Sequence, residues 1–356
     1  MIQSVDEKYM SRCIQIARGG MLGAAPNPMV GAVVVCDGRI IGEGYHVRCG
    51  EGHAEVNAIA SVKDKALLSR STIYVSLEPC SHYGKTPPCA DLIISHHIPR
   101  VVVGCQDPFA KVSGRGIQKL RDAGIEVTVG VLEEECRKLN KSFMTFHTQK
   151  RPFITLKWAQ SADGMVDKVR TDGSPVVLST PLTQMLVHKR RAEHKAILVG
   201  ARTALLDNPS LTVRAWSGPS PLRIVMDRTL SLPRSLKVFD KSVPTWVLCD
   251  KSNVAIPESS DNLRYVALDF GRDILEQLFQ EMYSANVPSL LVEGGPATLQ
   301  RFIEIGAWDE AYVEHSEKVV GDGVVAPTIA EECLKSVDRQ FGVSIYHYCN
   351  PLNPYI

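Results

Sequence analysis

The chain has 356 residues, 44% of them hydrophobic, and a formal net charge of +1. That length predicts two domains rather than one, each with a core to bury. The balanced charge and 6% aromatic content argue against a basic or stacking track for nucleic acid, and no apolar run approaches the roughly 20 residues of a membrane span. Ten dispersed cysteines that include a metal motif read as thiols of a reducing, cytoplasmic protein. Asp6, Glu7, Lys8 and Arg12 in the first turns argue against a signal peptide.

Apolar positions at Val5, Tyr9, Met10, Cys13, Ile16 and Ala17 give residues 4–18 helical spacing, with Gly19-Gly20 to end it. Pro26-Asn27-Pro28 predicts a loop, and Asn27 reads either as a turn residue or as an amide at a pocket. Val30–Cys36 and Arg39–Tyr45 form a strand pair about the turn signal Asp37-Gly38. A helix follows over His53–Val62, a strand over Thr72–Leu77 and a helix over Cys89–His97. Arg100–Gly104 and Ile125–Val129 read as strands, and Gly116–Ala123 and Glu133–Phe146 as helices. Strands alternating with helices predict a layered α/β sheet.

The chemistry concentrates between His53 and Cys89. His53, Cys80 and Cys89 supply one imidazole and two thiols, the ligand count of a catalytic zinc with one position left for water. One Zn2+ per chain is therefore expected. Such an ion lowers the pKa of its water to roughly 7. Glu55, two residues beyond His53, is placed to move the proton without being a ligand. The pattern H-x-E…P-C-x-x-C marks zinc deaminases of nucleobases. The first half and the Pro-Cys match; eight residues, not two, separate Cys80 from Cys89. The alternative is a structural zinc, for which His82, Cys49 or Cys105 would be the fourth ligand.

A polar break at Gln149-Lys150-Arg151-Pro152 places the boundary between a first domain, 1–148, and a second, 149–356. Phe153–Ala159, Ala196–Gly200, Leu222–Met226, Thr245–Cys249, Tyr265–Leu268 and Ser289–Val292 read as strands. Thr180–Arg191, Ile274–Ser284 and Ala297–Ile305 read as helices, and Ala201–Arg214 as a loop. The strand running into Glu293-Gly294-Gly295-Pro296 and a helix is either a plain turn or a phosphate cradle at a helix N-terminus. No G-x-G-x-x-G follows a strand, so a Rossmann domain is not indicated.

Three segments together carry a family likeness: Pro26–Val35, His53–Ile59 and Leu77–Cys89. The chain resembles the bifunctional deaminase/reductase of riboflavin biosynthesis over nearly its whole length, most strongly over residues 6–145. The resemblance implies a cytidine-deaminase-like three-layer α/β domain followed by a dihydrofolate-reductase-like α/β domain. The implied activity is zinc-dependent deamination of a diaminopyrimidinone ribosylamino 5′-phosphate, then NADPH-dependent reduction of the ribosyl group to ribityl. It further implies Asn27 at the base of the first substrate. Carried over residue by residue, Ala159, Thr203, Asp207, Arg228 and the run Gly295, Pro296, Ala297, Thr298, Leu299, Gln300 and Arg301 line the NADPH site. Arg191, Leu211, Arg214 and Glu293 hold the second substrate, the two arginines being suited to a 5′-phosphate. The expected partners are small phosphorylated pyrimidines, and the expected assembly is a homo-oligomer.

The chain departs from the family after Thr171-Asp172-Gly173-Ser174, where Pro175 and Val177 stand in place of a serine and a tryptophan, and at Ser316-Glu317 before Lys318. Those departures motivate a rival reading in which the second domain is a non-catalytic scaffold. A nucleic-acid deaminase and a zinc-stabilised binding module are the remaining rivals.

Overall fold

The computed structural model describes residues 4–81, 87–109, 113–170 and 174–356. His82 and Thr171–Gly173 lie outside the described residues. The chain divides into two compact units, Met1–Gln149 and Lys150–Pro354.

The first unit runs α1 (Val5–Ala17), β1 (Gly31–Cys36), β2 (Arg39–Tyr45), α2 (Ala54–Ser61), β3 (Thr72–Leu77), α3 (Cys89–Ser95), β4 (Arg100–Cys105), α4 (Arg115–Asp122), β5 (Glu126–Val129), α5 (Glu133–Leu139) and α6 (Lys141–Gln149). The sheet order is β2-β1-β3-β4-β5; β1 is antiparallel to both neighbours, and β3, β4 and β5 are parallel. Strand alternation sends Val34, Val75 and Val103 to the face covered by Ala58 of α2, Ile93 of α3 and Leu120 of α4. It sends Val33, Tyr74 and Val102 to the opposite face, against Met10 and Cys13 of α1 and Cys136 of α5. Both faces are buried, which is why these strands read as continuous apolar runs. The helix expected over 133–146 is interrupted at Asn140, whose side chain accepts from the Met29 N–H and donates to the Met29 carbonyl, both at 2.8 Å. That exchange pins the loop carrying Asn27.

The second unit runs β6 (Phe153–Gln160), β7 (Met165–Lys168), α7 (Pro181–Glu193), β8 (Ala196–Gly200), α8 (Ala201–Asp207), β9 (Leu222–Met226), β10 (Thr245–Asp250), β11 (Leu263–Leu268), α9 (Ile274–Ser284), β12 (Ser289–Gly294), α10 (Pro296–Glu304), β13 (Glu310–His315), β14 (Gly323–Val325), β15 (Leu334–Gln340) and β16 (Val343–Cys349). Nine strands form one sheet, β11-β10-β9-β8-β12-β6-β13-β16-β15. The first seven in that order are parallel, and the β15–β16 hairpin joins antiparallel at the edge. One face packs Leu156, Val292 and Val313 against Leu278 and Phe302. On the other, Ile197, Val225 and Leu291 meet Leu211, Val238 and Phe239.

The expected loop over 201–214 begins with a helix, α8, and contains Leu211, which has a left-handed φ of 55° and a side chain in the core. The strands after residue 305 were not foreseen from the sequence. Among the described residues no helix is long and apolar enough to cross a membrane.

Arg223 of β9 is fully buried, and its guanidinium makes five hydrogen bonds: to Thr245 Oγ1, the carbonyls of Ser210, Lys237 and Val243, and Asp240 Oδ1. It ties two loops to the sheet interior. Arg223→Met is expected to destabilise the second unit by about 3 kcal/mol, since the aliphatic part is retained while the polar partners lose their donor. A lowered urea midpoint followed by tryptophan fluorescence checks this.

Candidate functional site

In the first unit, His53 is the N-cap residue of α2, Cys80 follows β3, and Cys89 is the first residue of α3. Pro88 caps α3 with extended backbone, so the Pro87-Pro88 pair sets where that helix begins. The sequence therefore delivers two ligands at helix starts and one at a strand end. His53 Nδ1 lies 3.6 Å from Cys80 Sγ and 3.4 Å from Cys89 Sγ, and all three donor atoms lie within 4.8 Å of one another. Zn–S bonds of about 2.3 Å and Zn–N bonds of about 2.0–2.1 Å at tetrahedral angles span edges of about 3.6 Å. The donor set and its spacing fit zinc. Neither Cys49 nor Cys105 joins the group among the described residues.

The electrostatics favour thiolate. The Cys89 thiol, the His53 ring and the Cys89 N–H, which donates to Cys80 Sγ at 3.3 Å, hold the Cys80 thiol down to about 4. Cys80, followed by burial, raises Cys89; a divalent cation reverses that by drawing both thiols into thiolate form. Glu55 is 3% exposed, and burial, with Cys80 adding to it, pushes its carboxyl up to about 7. A cation at the three ligands lowers it again.

Asn27 Nδ2 donates to His46 Nε2 at 3.1 Å, and His46 Nδ1 donates to the Gly52 carbonyl at 3.1 Å, beside His53. Burial lowers the His46 pKa and keeps the ring neutral, as this relay requires. The His46 and His53 rings meet edge to face, with centroids 5.4 Å apart.

Sequence reasoning missed Glu78. Its carboxylate, 4% exposed, accepts from the backbone N–H groups of Asp107, Gly114, Gly116 and Ile117 at 2.9–3.3 Å. A Cβ on Gly116 would lie 1.9 Å from the Pro79 carbonyl oxygen, so the turn presenting Cys80 rests directly on the start of α4. No periodicity marks such a residue, because it lies at a strand end and serves backbone rather than ligand.

In the second unit, the carboxyl ends of parallel strands β6, β8, β9 and β12 open into a cavity of 1080 Å³. This is where open α/β sheets bind ligands. Ala159, Thr203, Asp207, Arg228 and the run Gly295–Leu299 line it, as do Arg191, Arg214 and Glu293. Gln300, Arg301 and Leu211 are not among its walls. Thr203 Oγ1 accepts from the Gly295 N–H at 2.9 Å. A side chain on Gly294 or Gly295 would approach Thr203 to 3.1 Å, and one on Gly200 would meet Thr298 at 2.9 Å. Bare backbone and the N-terminus of α10 thus face the cavity, an arrangement that fits the phosphates of a dinucleotide. Arg228 stands exposed at the rim beside Asp250.

Arg191 is already engaged: Nε and Nη2 bind both oxygens of Glu293 at 2.8 and 2.6 Å, and Nη1 reaches the Thr212 carbonyl at 3.3 Å. The pair lies in the cavity wall, and its charge is internally balanced. Arg214 and Arg202 are exposed at the same cavity. Asp207 pairs with Arg170. Val177, 56% exposed, lines the cavity where the family has a tryptophan; Pro175 does not line it. Lys157, unnoticed in the sequence because it sits in an apolar strand, also lines the cavity. Burial lowers its pKa, and Glu293 and then Glu314 oppose that shift.

Two family descriptions match the chain. "Cytidine and deoxycytidylate deaminase zinc-binding region" covers residues 3–105, and "RibD C-terminal domain" covers 152–340. Riboflavin biosynthesis protein RibD of Aquifex aeolicus is 40% identical over 345 residues, 96% of this chain and 95% of its own. The Escherichia coli protein of that name is 35% identical over 340 residues, 89% of each chain. The crystal structure of a Thermotoga maritima diaminohydroxyphosphoribosylaminopyrimidine deaminase/5-amino-6-(5-phosphoribosylamino)uracil reductase superposes with a TM-score of 0.86. It is 37% identical, covering 97% of this chain and 99% of that one.

Glu78→Gln turns one acceptor oxygen into an NH2 that faces backbone donors. The expected result is a roughly 10–100-fold loss of zinc affinity without loss of any ligand. Competition with a chromogenic chelator measures it; wild-type affinity in this variant would remove Glu78 from the site's support.

Proposed function

Since the chain belongs to the RibD family of riboflavin biosynthesis proteins, we propose that the two sites described above carry its two reactions in sequence. The protein is a bifunctional deaminase and reductase using zinc and NADPH. It deaminates 2,5-diamino-6-ribosylamino-4(3H)-pyrimidinone 5′-phosphate and then reduces the ribosyl to the ribityl side chain. The observation that carries the first assignment is the 3.4–3.6 Å spacing of His53, Cys80 and Cys89 around a position that buried Glu55 adjoins.

His53, Cys80 and Cys89 would hold the zinc ion, which would supply the Lewis acidity that makes water nucleophilic near neutral pH. Glu55 takes one proton from the attacking water and passes it to the ring nitrogen, then carries the remaining hydroxyl proton to the amine, so that ammonia leaves as the C=O bond replaces C–N. Asn27, oriented by His46, holds the base.

In the second unit, NADPH bound in the cavity would supply the hydride for reduction of the sugar. Gly295–Leu299 and Thr203 hold its phosphates, while Ala159, Asp207 and Arg228 complete the cofactor wall. Gln300 and Arg301 support the run from behind it. Arg214, exposed and with no carboxylate partner among the described residues, takes the substrate phosphate. Arg191 instead fixes Glu293, and Leu211 shapes the wall from the core. Lys157, cross-strand neighbour of Tyr312 and within electrostatic reach of Glu293, is the group that delivers a proton to the reduced sugar. A cytoplasmic homo-oligomer belongs to the same reading.

Glu55→Gln is expected to reduce deamination roughly 10²–10⁴-fold with zinc content unchanged, measured by ammonia release alongside metal analysis. Deamination at the wild-type rate would refute the role. Lys157→Met is expected to slow NADPH oxidation, with the deaminated ribosylamino-pyrimidinedione phosphate given directly, while deamination continues. If the unmodified protein fails to oxidise NADPH in that assay, Pro175 and Val177 have made the second unit a scaffold.

A further inference from the structure

Strand alternation places Glu310, Tyr312 and Glu314 of β13 on one face, opposite Cys349, His347 and Ile345 of β16. Among the described residues this face holds one further cluster of metal-ligand side chains: Glu310, His347 and Cys349. His347 Nε2 lies 3.5 Å from Glu310 Oε1 and 3.7 Å from Cys349 Sγ, and the three donor atoms lie within 4.8 Å of one another. Tetrahedral Zn2+ with N, O and S ligands requires edges of about 3.4–3.6 Å. The spacing is that of the first-unit site to within 0.3 Å: the N···S distances are 3.4 and 3.6 Å there and 3.7 Å here.

The surroundings also suit a bound ion. Glu310 is 4% exposed, and the Tyr312 hydroxyl donates to its second oxygen, Oε2, at 3.4 Å. The Tyr312 ring stacks on His347, with planes 6° apart and centroids 4.5 Å apart, which fixes the imidazole orientation. The Arg190 guanidinium covers the other side of Tyr312, 3.3 Å from the ring centroid, and the cavity of 300 Å³ beside His347 gives solvent a route in. Glu310 begins β13, whereas Ala159, Gly200 and Glu293 sit at the ends of their strands. The cluster therefore lies at the end of the sheet opposite the reductase cavity.

We propose that Glu310, His347 and Cys349 form a second divalent-cation site, selective for Zn2+ and chemically similar borderline ions, that ties the edge hairpin to β13. The carboxylate and thiolate together carry the charge that neutralises a divalent ion. Thiolate and imidazole favour zinc or cobalt over magnesium and calcium. With water in the fourth position the site is exchangeable, and it takes no part in either reaction.

The test is titration of the full-length, metal-stripped protein with Co2+ and Zn2+. The unmodified chain is expected to take up two equivalents, each Co2+ equivalent adding thiolate-to-cobalt absorbance. Cys349→Ser, His347→Ala and Glu310→Gln are each expected to lower uptake to one equivalent while deamination and NADPH oxidation continue. In Cys349→Ser the absorbance should fall by about one third, since the first site keeps two of the three thiolates. Cys80→Ser with Cys89→Ser should keep the second equivalent and lose deamination. Uptake of a single equivalent by the unmodified chain overturns the proposal. So do two equivalents with unchanged absorbance in the three second-site variants. Because the three substitutions differ in size and burial, misfolding of one leaves the others to decide.

Discussion

Three donor atoms on three separate elements must converge to within about 3.6 Å of one another before any chemistry of the first unit is possible. Two of them are placed by helix starts. His53 caps α2 and Cys89 opens α3, so both positions are set by rigid elements and by the proline that precedes Cys89. The third, Cys80, sits on a turn, and turns do not hold a donor to such tolerance unaided. Glu78 supplies the restraint. A carboxylate hidden from water would be expensive, but four backbone N–H groups converge on this one, and hydrogen bonds to charged acceptors contribute about 1.5–3 kcal/mol each. The same residue that stabilises the turn therefore fixes the ligand two residues on, and Gly116 leaves no space for the turn to relax toward α4.

The second unit meets a different constraint. Its sheet is long, and one face is apolar throughout the central strands, but the other is apolar mainly over β8 to β11 with Leu291 of β12. Over β6, β12 and β13 that second face carries Lys157, Glu293, Tyr312 and Glu314 beneath α7. Both carboxylates there are met locally. Arg191 binds Glu293 through two hydrogen bonds, and the Ser179 and Thr183 hydroxyls donate to Glu314 at 2.9 and 2.8 Å. Replacing one member of such a set leaves the other charge uncompensated, which costs more than the pair contributes. The polar half-face is thus a rigid wall, and a rigid wall of fixed charges is what a reduction needs at the developing oxyanion or iminium.

How much of this was legible in the sequence follows from the same alternation. The clustering of His53, Cys80 and Cys89 was legible because zinc dictates residue type and count, and Glu55 drew notice because it stands two residues beyond His53, inside the first turn of α2. The strand, Gly-Gly-Pro turn and helix at Ser289–Glu304 were legible because bare backbone has a composition of its own. Helix α8 was read as a loop: at seven residues it shows no period, and Leu205 and Leu206 are exposed rather than core. Leu211 was placed at the substrate by resemblance, yet its side chain packs with Val199, Val225 and Leu236. Arg191 was read as a free phosphate ligand, since nothing local to it announces Glu293, 102 residues away. The strands after residue 305 escaped because Glu310, Glu314 and His347 give them the look of solvent-facing chain.

That last failure is the most informative one. Sequence reading treats a polar residue in a strand as exposed, because burial of an unpartnered charge costs several kcal/mol. The inference fails wherever the partner comes from a different element. Lys157, Glu293 and Glu314 at one end of the sheet, and Glu310 with His347 at the other, are all such cases. A charged residue that interrupts an otherwise apolar strand therefore has two readings, surface or site. The deciding information is whether its cross-strand neighbours are polar too. Lys157 pairs with Tyr312 and Glu310 with Cys349, whereas Arg264, the one charge of β11, lies on the edge strand where the sheet ends. Polar residues that recur in register across adjacent central strands mark buried chemistry, because only a shared function or a shared ligand offsets the cost of hiding all of them at once.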